Sequence, residues 1–364
     1  MDERHYLYWL ASIQGIGAVK AGRLMEYYGS VRDIYMSEES ELIFIEGISE
    51  KDVKNIVNSR DEKRIVSSYE KILQSGIKMV FKGESGYPVK LTNIYNAPYC
   101  LYYKGSLPDE DRPVVAVVGA RNASYEGIQI AHKIGRELAE LGVQIVSGLA
   151  RGIDISGQRG ALSVPEGRTY GIMGCGIDIC YPRQHIEEYM LIQQSGGIIS
   201  EYAPGIKAYA GNFPMRNRII SGLSDGVLVI EAGEKSGSLI TAEMGIEQGK
   251  DVFVVPGSIT NPLYCGSNSL IKQGAAVVTD TMDILDALGI FYDNNMQEKK
   301  RKNEVMLETS EKIVYASLSL EPVHISEIIQ RTGLNTQKTM DLLISLEMKK
   351  LICMVGNNYY ALKL

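Results

Sequence analysis

From residue 114 to 279, short runs rich in Val and Ile alternate with longer segments whose apolar positions recur every three to four residues. The runs fall at 114–118, 143–147, 169–173, 197–200, 226–230, 252–256 and 276–279. Repetition of strand then helix predicts a parallel sheet with helices on both faces, because each parallel crossover needs a helix-length connection. Upstream, alternating apolar and polar residues at 78–82 and 100–104, joined by a Pro/Gly-rich passage, predict two strands that extend this sheet.

The flanking regions read differently. Residues 1–75 predict a small helical domain with two similar turns, Ile13-Gln14-Gly15-Ile16-Gly17 and Ile45-Glu46-Gly47-Ile48-Ser49. Apolar-x-Gly-apolar-Gly is the pattern of a helix-hairpin-helix turn, in which the second helix offers backbone N–H groups to a phosphate. Lys20 and Arg23 favour contact at the first turn, whereas Glu46 and Glu50 oppose it at the second. Residues 76–290 form the sheet region. Residues 291–309 carry QEKKRKNE without apolar periodicity and read as a solvated linker. Residues 310–364 predict helices at 310–319 and 326–333, a third capped by Thr336, and a hairpin around Gly356-Asn357-Asn358, which together make a winged helix. Its third helix mixes Lys338, Lys349 and Lys350 with Asp341 and Glu347, so protein contact or weak duplex binding fits better than strong major-groove reading.

Composition narrows the function. A net charge of −6 excludes a protein coated in positive charge, so any nucleic-acid contact has to be a local basic groove. The five cysteines lack a C-x-x-C pair and the four histidines lack ligand spacing, so no metal site or disulfide framework is expected. No cofactor is expected either. No window approaches a membrane span and no secretory leader is evident, which predicts a cytoplasmic protein.

Open parallel sheets bind ligands beyond the carboxyl ends of their strands, so the residues after each strand carry the chemistry. Four such ends are Gly-rich with basic or hydroxyl residues: Gly119-Ala120-Arg121 with Ser124, Gly148 to Asp154 with Arg151, Gly174 to Arg183, and Glu231 to Thr241 with Ser236 and Ser238. The first turn lacks the glycines of G-x-G-x-x-G, and a P-loop is absent, so neither nucleotide fingerprint applies. Helix N-termini at Ser124 and Ser236 nevertheless offer anion cradles, with Ser238 either capping its helix or holding a phosphate oxygen. The segment Asn212-Phe213-Pro214-Met215-Arg216-Asn217-Arg218 places an aromatic ring beside two arginines, the ingredients of single-strand binding. One of the two arginines is expected to make an internal salt bridge, because residues two apart cannot share a helix face.

These segments carry a resemblance. GARNAS (119–124), SGLARGID (147–154), GCGIDICYP (174–182), NFPMRNRIISGLS (212–224), EAGEKSGSLITA (231–242), GKDVFVVPG (249–257) and GSNSLIKQGA (266–275) are similar to the DNA-processing protein A (DprA/Smf) family across the whole sheet region. The resemblance implies an extended Rossmann-like domain that binds single-stranded DNA, passes it to RecA recombinase and protects incoming strands in natural transformation. It assigns the phosphate grip to Arg121, the stacking ring to Phe213, and pocket cations to Arg183 and Lys250. It also implies a homodimer surface around Leu270, Ile271 and Val277. Two departures stand out: Ala210 replaces a family Lys, leaving Lys207 one turn back, and Ser156-Gly157-Gln158 replaces an Ala-Ala-His type sequence with an expected effect on the loop after the second strand. The rival readings are a nucleotide hydrolase of the lysine-decarboxylase-like, cytokinin-activating type and an adaptor acting through the winged helix. In the hydrolase pattern Thr241 occupies the catalytic Glu position, and Thr cannot act as a carboxylate base.

Overall fold

The computed structural model describes residues 1–290, 307–349 and 351–363. Most of the predicted linker, at 291–306, and Lys350 therefore lie outside the described residues.

Helices α1 (Glu3–Ser12), α2 (Ala18–Tyr28), α3 (Val31–Met36), α4 (Glu39–Leu42), α5 (Glu50–Asn58) and α6 (Glu62–Gln74) form the N-terminal region. Their apolar faces converge on Trp9, Leu10, Leu24, Ile34, Leu42 and Ile56, all fully buried. Trp9 is polar at one edge, and its Nε1 donates to Ser59 Oγ at 2.7 Å. The two glycine turns lie at the starts of α2 and α5, as the repeated pattern predicts. The basic residues beside them are committed elsewhere: Lys20 pairs with the nearly buried Asp52 at 2.7 Å, and Arg23 donates to Glu46 O at 2.8 Å. These bonds tie the two hairpins together.

The central sheet follows, with strands β1 (Lys78–Phe81), β2 (Cys100–Gly105), β3 (Val114–Val118), β4 (Gln144–Ser147), β5 (Thr169–Met173), β6 (Gly197–Ser200), β7 (Gly226–Val229), β8 (Asp251–Val254) and β9 (Ala276–Val277). Among the described residues they form one sheet in the order β1-β2-β6-β5-β4-β3-β7-β8-β9. The predicted parallel pairing holds from β6 to β9, while β2 runs antiparallel to both β1 and β6, so the sheet is mixed. Its helices are α7 (Val89–Thr92), α8 (Tyr125–Glu140), α9 (Ile153–Leu162), α10 (Ile186–Ser195), α11 (Asn212–Leu223), α12 (Gly237–Glu247), α13 (Cys265–Lys272) and α14 (Thr281–Ala287). The period-two alternation of β3 sends Val114, Ala116 and Val118 toward Ile219, Ile220 and Ala242 on one face. Val115 and Val117 face Ile134, Leu138 and Ile284 on the other. Ser156, Gly157 and Gln158 are buried within α9 and not in the preceding loop; Gln158 Nε2 donates to Tyr170 O at 3.1 Å.

The C-terminal unit contains α15 (Thr309–Ala316), β10 (Val323–His324), α16 (Ile325–Thr332), α17 (Thr336–Met348), β11 (Ile352–Gly356) and β12 (Tyr359–Leu362). It is the expected winged helix, with one correction: Asn335, not Thr336, caps α17 by accepting from Lys338 N at 2.8 Å. Lys349 is drawn off the surface to Glu311 at 2.6 Å, which removes one cation from the third helix. No described helix is long and apolar enough to cross a membrane.

Leu24→Ala empties a fully buried site and is expected to cost about 2–5 kcal/mol of N-terminal stability. Denaturant titration read by the fluorescence of Trp9, the chain's single tryptophan, measures it.

Candidate nucleic-acid interface

The strand order reverses direction at β3: successive strands β4, β5 and β6 step away on one side, and β7 returns to the other. Crevices open at the carboxyl ends of strands where such a reversal occurs. A cavity of about 700 Å³ lies there, lined by Val118 to Asn122 after β3 and by Gly233 to Ser238 after β7. Gly119 permits the close approach of these loops, because a Cβ there would sit 2.6 Å from Ile153 and 2.9 Å from Glu231 O. Gly152 does the same at the start of α9: its φ is +78°, and a Cβ would meet Ala120 O at 2.2 Å.

Phe213, in the first turn of α11, stands at the mouth. The Arg121 guanidinium lies 5.6 Å from the ring centroid and that of Arg216 lies 5.8 Å away. The Tyr181 ring meets Phe213 at 5.3 Å with the planes 36° apart, so the two form a tilted aromatic pair. Gly174 leaves room for this, since a Cβ there would lie 2.9 Å from the Phe213 ring.

Arg121 and Arg216 play different parts. Arg121 is exposed and free to meet a ligand, whereas Arg216 is only 4% exposed. Arg216 donates to Gly148 O at 3.0 Å, to Ile172 O, and to Asn217 Oδ1 at 3.3 Å. Burial pulls its pKa down to about 10, against the attraction of Asp154, so it stays cationic at neutral pH. Burial correspondingly raises the pKa of Asp154, opposed by Arg216 and by the bond from Gly148 N at 3.1 Å.

The helix N-termini are not equivalent. At α8 the Glu231 carboxylate, fully buried, accepts from Ser124 N at 2.9 Å and from Ser124 Oγ. Ser124 Oγ in turn accepts from Gly127 N at 2.9 Å. The anion at this cradle is thus the chain's own, which corrects the expectation that Ser124 faces a phosphate. At α9 the first turn carries Asp154. At α12 no acidic residue stands in the first turn, and Ser236 Oγ and Ser238 Oγ lie 2.7 Å apart on the cavity wall. Asn217 holds this end in place, its Nδ2 donating to Gly237 O at 3.2 Å.

The remaining predicted residues divide into three groups. Arg151, Arg183 and Lys207 are exposed, each next in sequence or two residues from a cavity-lining residue (Ala150, Tyr181 and Ala208), but none lines the cavity itself. Asn212 donates to Gly174 O at 3.1 Å and shapes the start of α11. Arg218 and Lys250 are not brought to the cavity. They line a second, smaller depression of about 270 Å³ with Lys90, Asn96 and Gln248. Arg218 pairs with Glu201 at 2.6 Å, the internal salt bridge expected for one of the two arginines, and both Arg216 and Arg218 are buried. The physical reason is that α11 is enclosed by the sheet on one side and by α7 and α12 on the other, leaving little solvent face. Leu270 is 4% exposed within the core and cannot present a monomer surface, Ile271 packs partly against it, and Val277 is 44% exposed on edge strand β9.

Lys235, Tyr181 and Thr241 are among the lining residues that sequence reasoning did not assign to the site. Lys235 was legible as a cation in the loop after β7, and Tyr181 as an aromatic ring before Pro182. Thr241 was legible only as the residue at the hydrolase pattern's Glu position, and its place on the cavity wall is set by the seating of α12.

The geometry defines an open cavity at the reversal of an α/β sheet, with a cationic and aromatic mouth. Comparison with known proteins makes the class specific. Residues 78–289 match the family described as DNA recombination-mediator protein A, residues 10–62 a SAM-like helix-hairpin-helix tandem, and residues 298–357 the DprA winged helix domain. The chain is 36% identical over 307 residues to protein Smf of Synechocystis, covering 82% of this chain and 77% of the relative. It is 44% identical over 199 residues to DNA processing protein DprA of Streptococcus pneumoniae, covering 55% and 70%. Among solved structures, the Streptococcus pneumoniae DNA processing protein A aligns with a TM-score of 0.68 at 34% identity, over 79% of this chain and 98% of that one. The Helicobacter pylori DNA processing protein A, described for its single-stranded DNA binding mode, aligns with a TM-score of 0.53 at 29% identity, over 60% and 97%. The chain belongs to the DNA recombination-mediator protein A (DprA/Smf) family.

Ser124→Ala removes the α8 cap and one hydrogen bond to buried Glu231, and is expected to lower stability by about 1–2 kcal/mol. The loss should appear in denaturant unfolding while oligonucleotide affinity, followed by fluorescence anisotropy, stays at the wild-type value.

Proposed function

We propose that this chain binds single-stranded DNA along the mouth of the cavity and acts, without catalysing a reaction, as a DNA-processing mediator of transformation in the cytoplasm. The observation that carries the reading is the Phe213 ring with the guanidiniums of exposed Arg121 and buried Arg216 at 5.6 and 5.8 Å from its centroid, and Tyr181 beside it. A ring offers a sequence-tolerant stacking surface, and a nearby guanidinium pairs with the phosphate of the same nucleotide. Lys235 on the cavity wall, and the exposed Arg151, Arg183 and Lys207 within two residues in sequence of lining residues, supply positive charge for a chain of phosphates, although Glu234 sits beside Lys235. The local cations explain how an acidic protein can hold a polyanion.

Two features support a binding role over hydrolysis. The deep carboxylates Asp154 and Glu231 are committed, one to Gly148 N beside Arg216 and the other to Ser124. The hydrolase pattern's base position holds the Thr241 hydroxyl. Strand protection, transfer to RecA recombinase and action as a homodimer are the roles implied by the family resemblance. The exposed edge at Val277 is the part of the suggested dimer surface open to a second copy.

Arg121→Ala is expected to weaken single-strand binding by about 1–3 kcal/mol, the scale of a lost charge-assisted hydrogen bond. Anisotropy titration of a labelled oligonucleotide measures it, and wild-type affinity should also fall with added salt. An unchanged affinity in the variant rejects this site.

A further inference from the structure

Strands β4 and β5 pair in parallel, so the loop after β4, at 148–152, and the loop after β5, at 174–185, leave the sheet side by side at the same rim. The first carries Ala150 on the cavity wall and the exposed Arg151. The second carries Tyr181 on the wall and the exposed Arg183. A cation on a loop strengthens binding only as far as the loop is already ordered, because ordering it on contact costs conformational entropy.

The β4 loop is fastened at both ends. Gly148 N donates to Asp154 at 3.1 Å and Gly148 O accepts from Arg216 at 3.0 Å, while Ile153 N donates to Ala120 O at 3.2 Å. Between these anchors the backbone turns at Leu149, whose φ of +54° lies in the left-handed region. A leucine keeps that conformation only where its surroundings hold it there. Two things do so here: its side chain is fully buried, and its carbonyl accepts from His185 Nδ1 at 2.9 Å.

His185 belongs to the other loop. It ends the short 3-10 turn Arg183–His185, is 3% exposed, and donates its backbone N–H to Pro182 O at 3.1 Å. A carbonyl can only accept, so Nδ1 carries the hydrogen and Nε2 is left as an acceptor, which the Gln184 amide nitrogen meets at 3.2 Å. Both ring nitrogens are satisfied in the neutral ring. The imidazole therefore ties the strained backbone before Ala150 and Arg151 to the turn that carries Arg183, across 36 residues of chain, without itself lining the cavity.

We infer that His185 is a positioning residue: through Leu149 it sets the spacing of the β4 and β5 loops, and so where Arg151 and Arg183 present their charge to a strand. This rests on the single-strand reading of the mouth and deepens it.

The experiment measures oligonucleotide affinity by anisotropy for His185→Leu, which keeps bulk and removes the donor, and for His185→Asn, whose Nδ2 stands as many bonds from Cα as Nδ1 of histidine. His185→Leu is expected to bind about three- to tenfold more weakly, and His185→Asn to recover most of the loss. Denaturant unfolding confirms that each variant is folded under the assay conditions; if His185→Leu is not, His185→Gln, with its donor one bond further out, takes its place. A double-mutant cycle then separates positioning from general packing. Arg151→Ala and Arg183→Ala should each lower affinity in the wild type and lower it little further once the His185 donor is gone, whereas Arg121→Ala, on the β3 loop, should lower it equally in both backgrounds. Wild-type affinity without the His185 donor overturns the inference. So do an equal loss in His185→Asn, fully additive losses with Arg151→Ala and Arg183→Ala, or no effect of those two substitutions in the wild type. In each of these cases a loss in Arg121→Ala leaves the reading of the mouth standing; wild-type affinity in Arg121→Ala shows that the reading of the mouth itself has failed.

Discussion

The site depends on one buried cation. Arg216 reaches from the first turns of α11 to the carbonyls of Gly148 and Ile172, the first just beyond β4 and the second within β5, and lies beside the Asp154 carboxylate. A charge so enclosed is tolerable only when its donors are met, and removing one partner of a buried pair typically costs several kcal/mol. Here the donors are met by backbone at two strands, so the helix that carries Phe213 is registered against the sheet. The position of the aromatic ring follows from that anchor. Tyr181 and Arg121 are arranged around it.

A second constraint concerns where negative charge is already present. A doubly wound sheet offers an anion cradle at the start of each helix that follows a strand, and in nucleotide-binding relatives of the architecture the first such cradle holds a phosphate. In this chain Glu231 fills the first cradle and Asp154 stands in the second. The third, at α12, faces the cavity beside Ser236 and Ser238. The first cradle is therefore occupied by the chain's own Glu231, while the α12 start, which lines the same cavity as Arg121, has no acidic residue in its first turn. This accounts for the missing glycine fingerprint, because the first turn is built to receive a side chain and not a pyrophosphate.

Much of the fold was legible in the sequence because buried parallel strands write continuous apolar runs: the predicted 114–118, 169–173 and 197–200 are strands with those bounds. The antiparallel entry of β2 was not legible, since pairing direction depends on contacts far apart in the chain. At the site, Arg121 and Phe213 could be read from residue type and from resemblance, and the structure brings them together. The fates of Ser124, Arg216, Arg218 and Lys250 could not, because burial and partner choice come from tertiary packing. A serine beside a glycine turn looks the same whether it meets a phosphate or an internal glutamate 107 residues away.

The central claim is that a DNA strand lies across the Phe213 mouth. Photocrosslinking with a bromodeoxyuridine-containing strand, followed by mass-spectrometric mapping of the adducts, tests it most directly. Adducts concentrated on Phe213 and Tyr181 are predicted; adducts confined to the N-terminal helices or to the winged helix would contradict it.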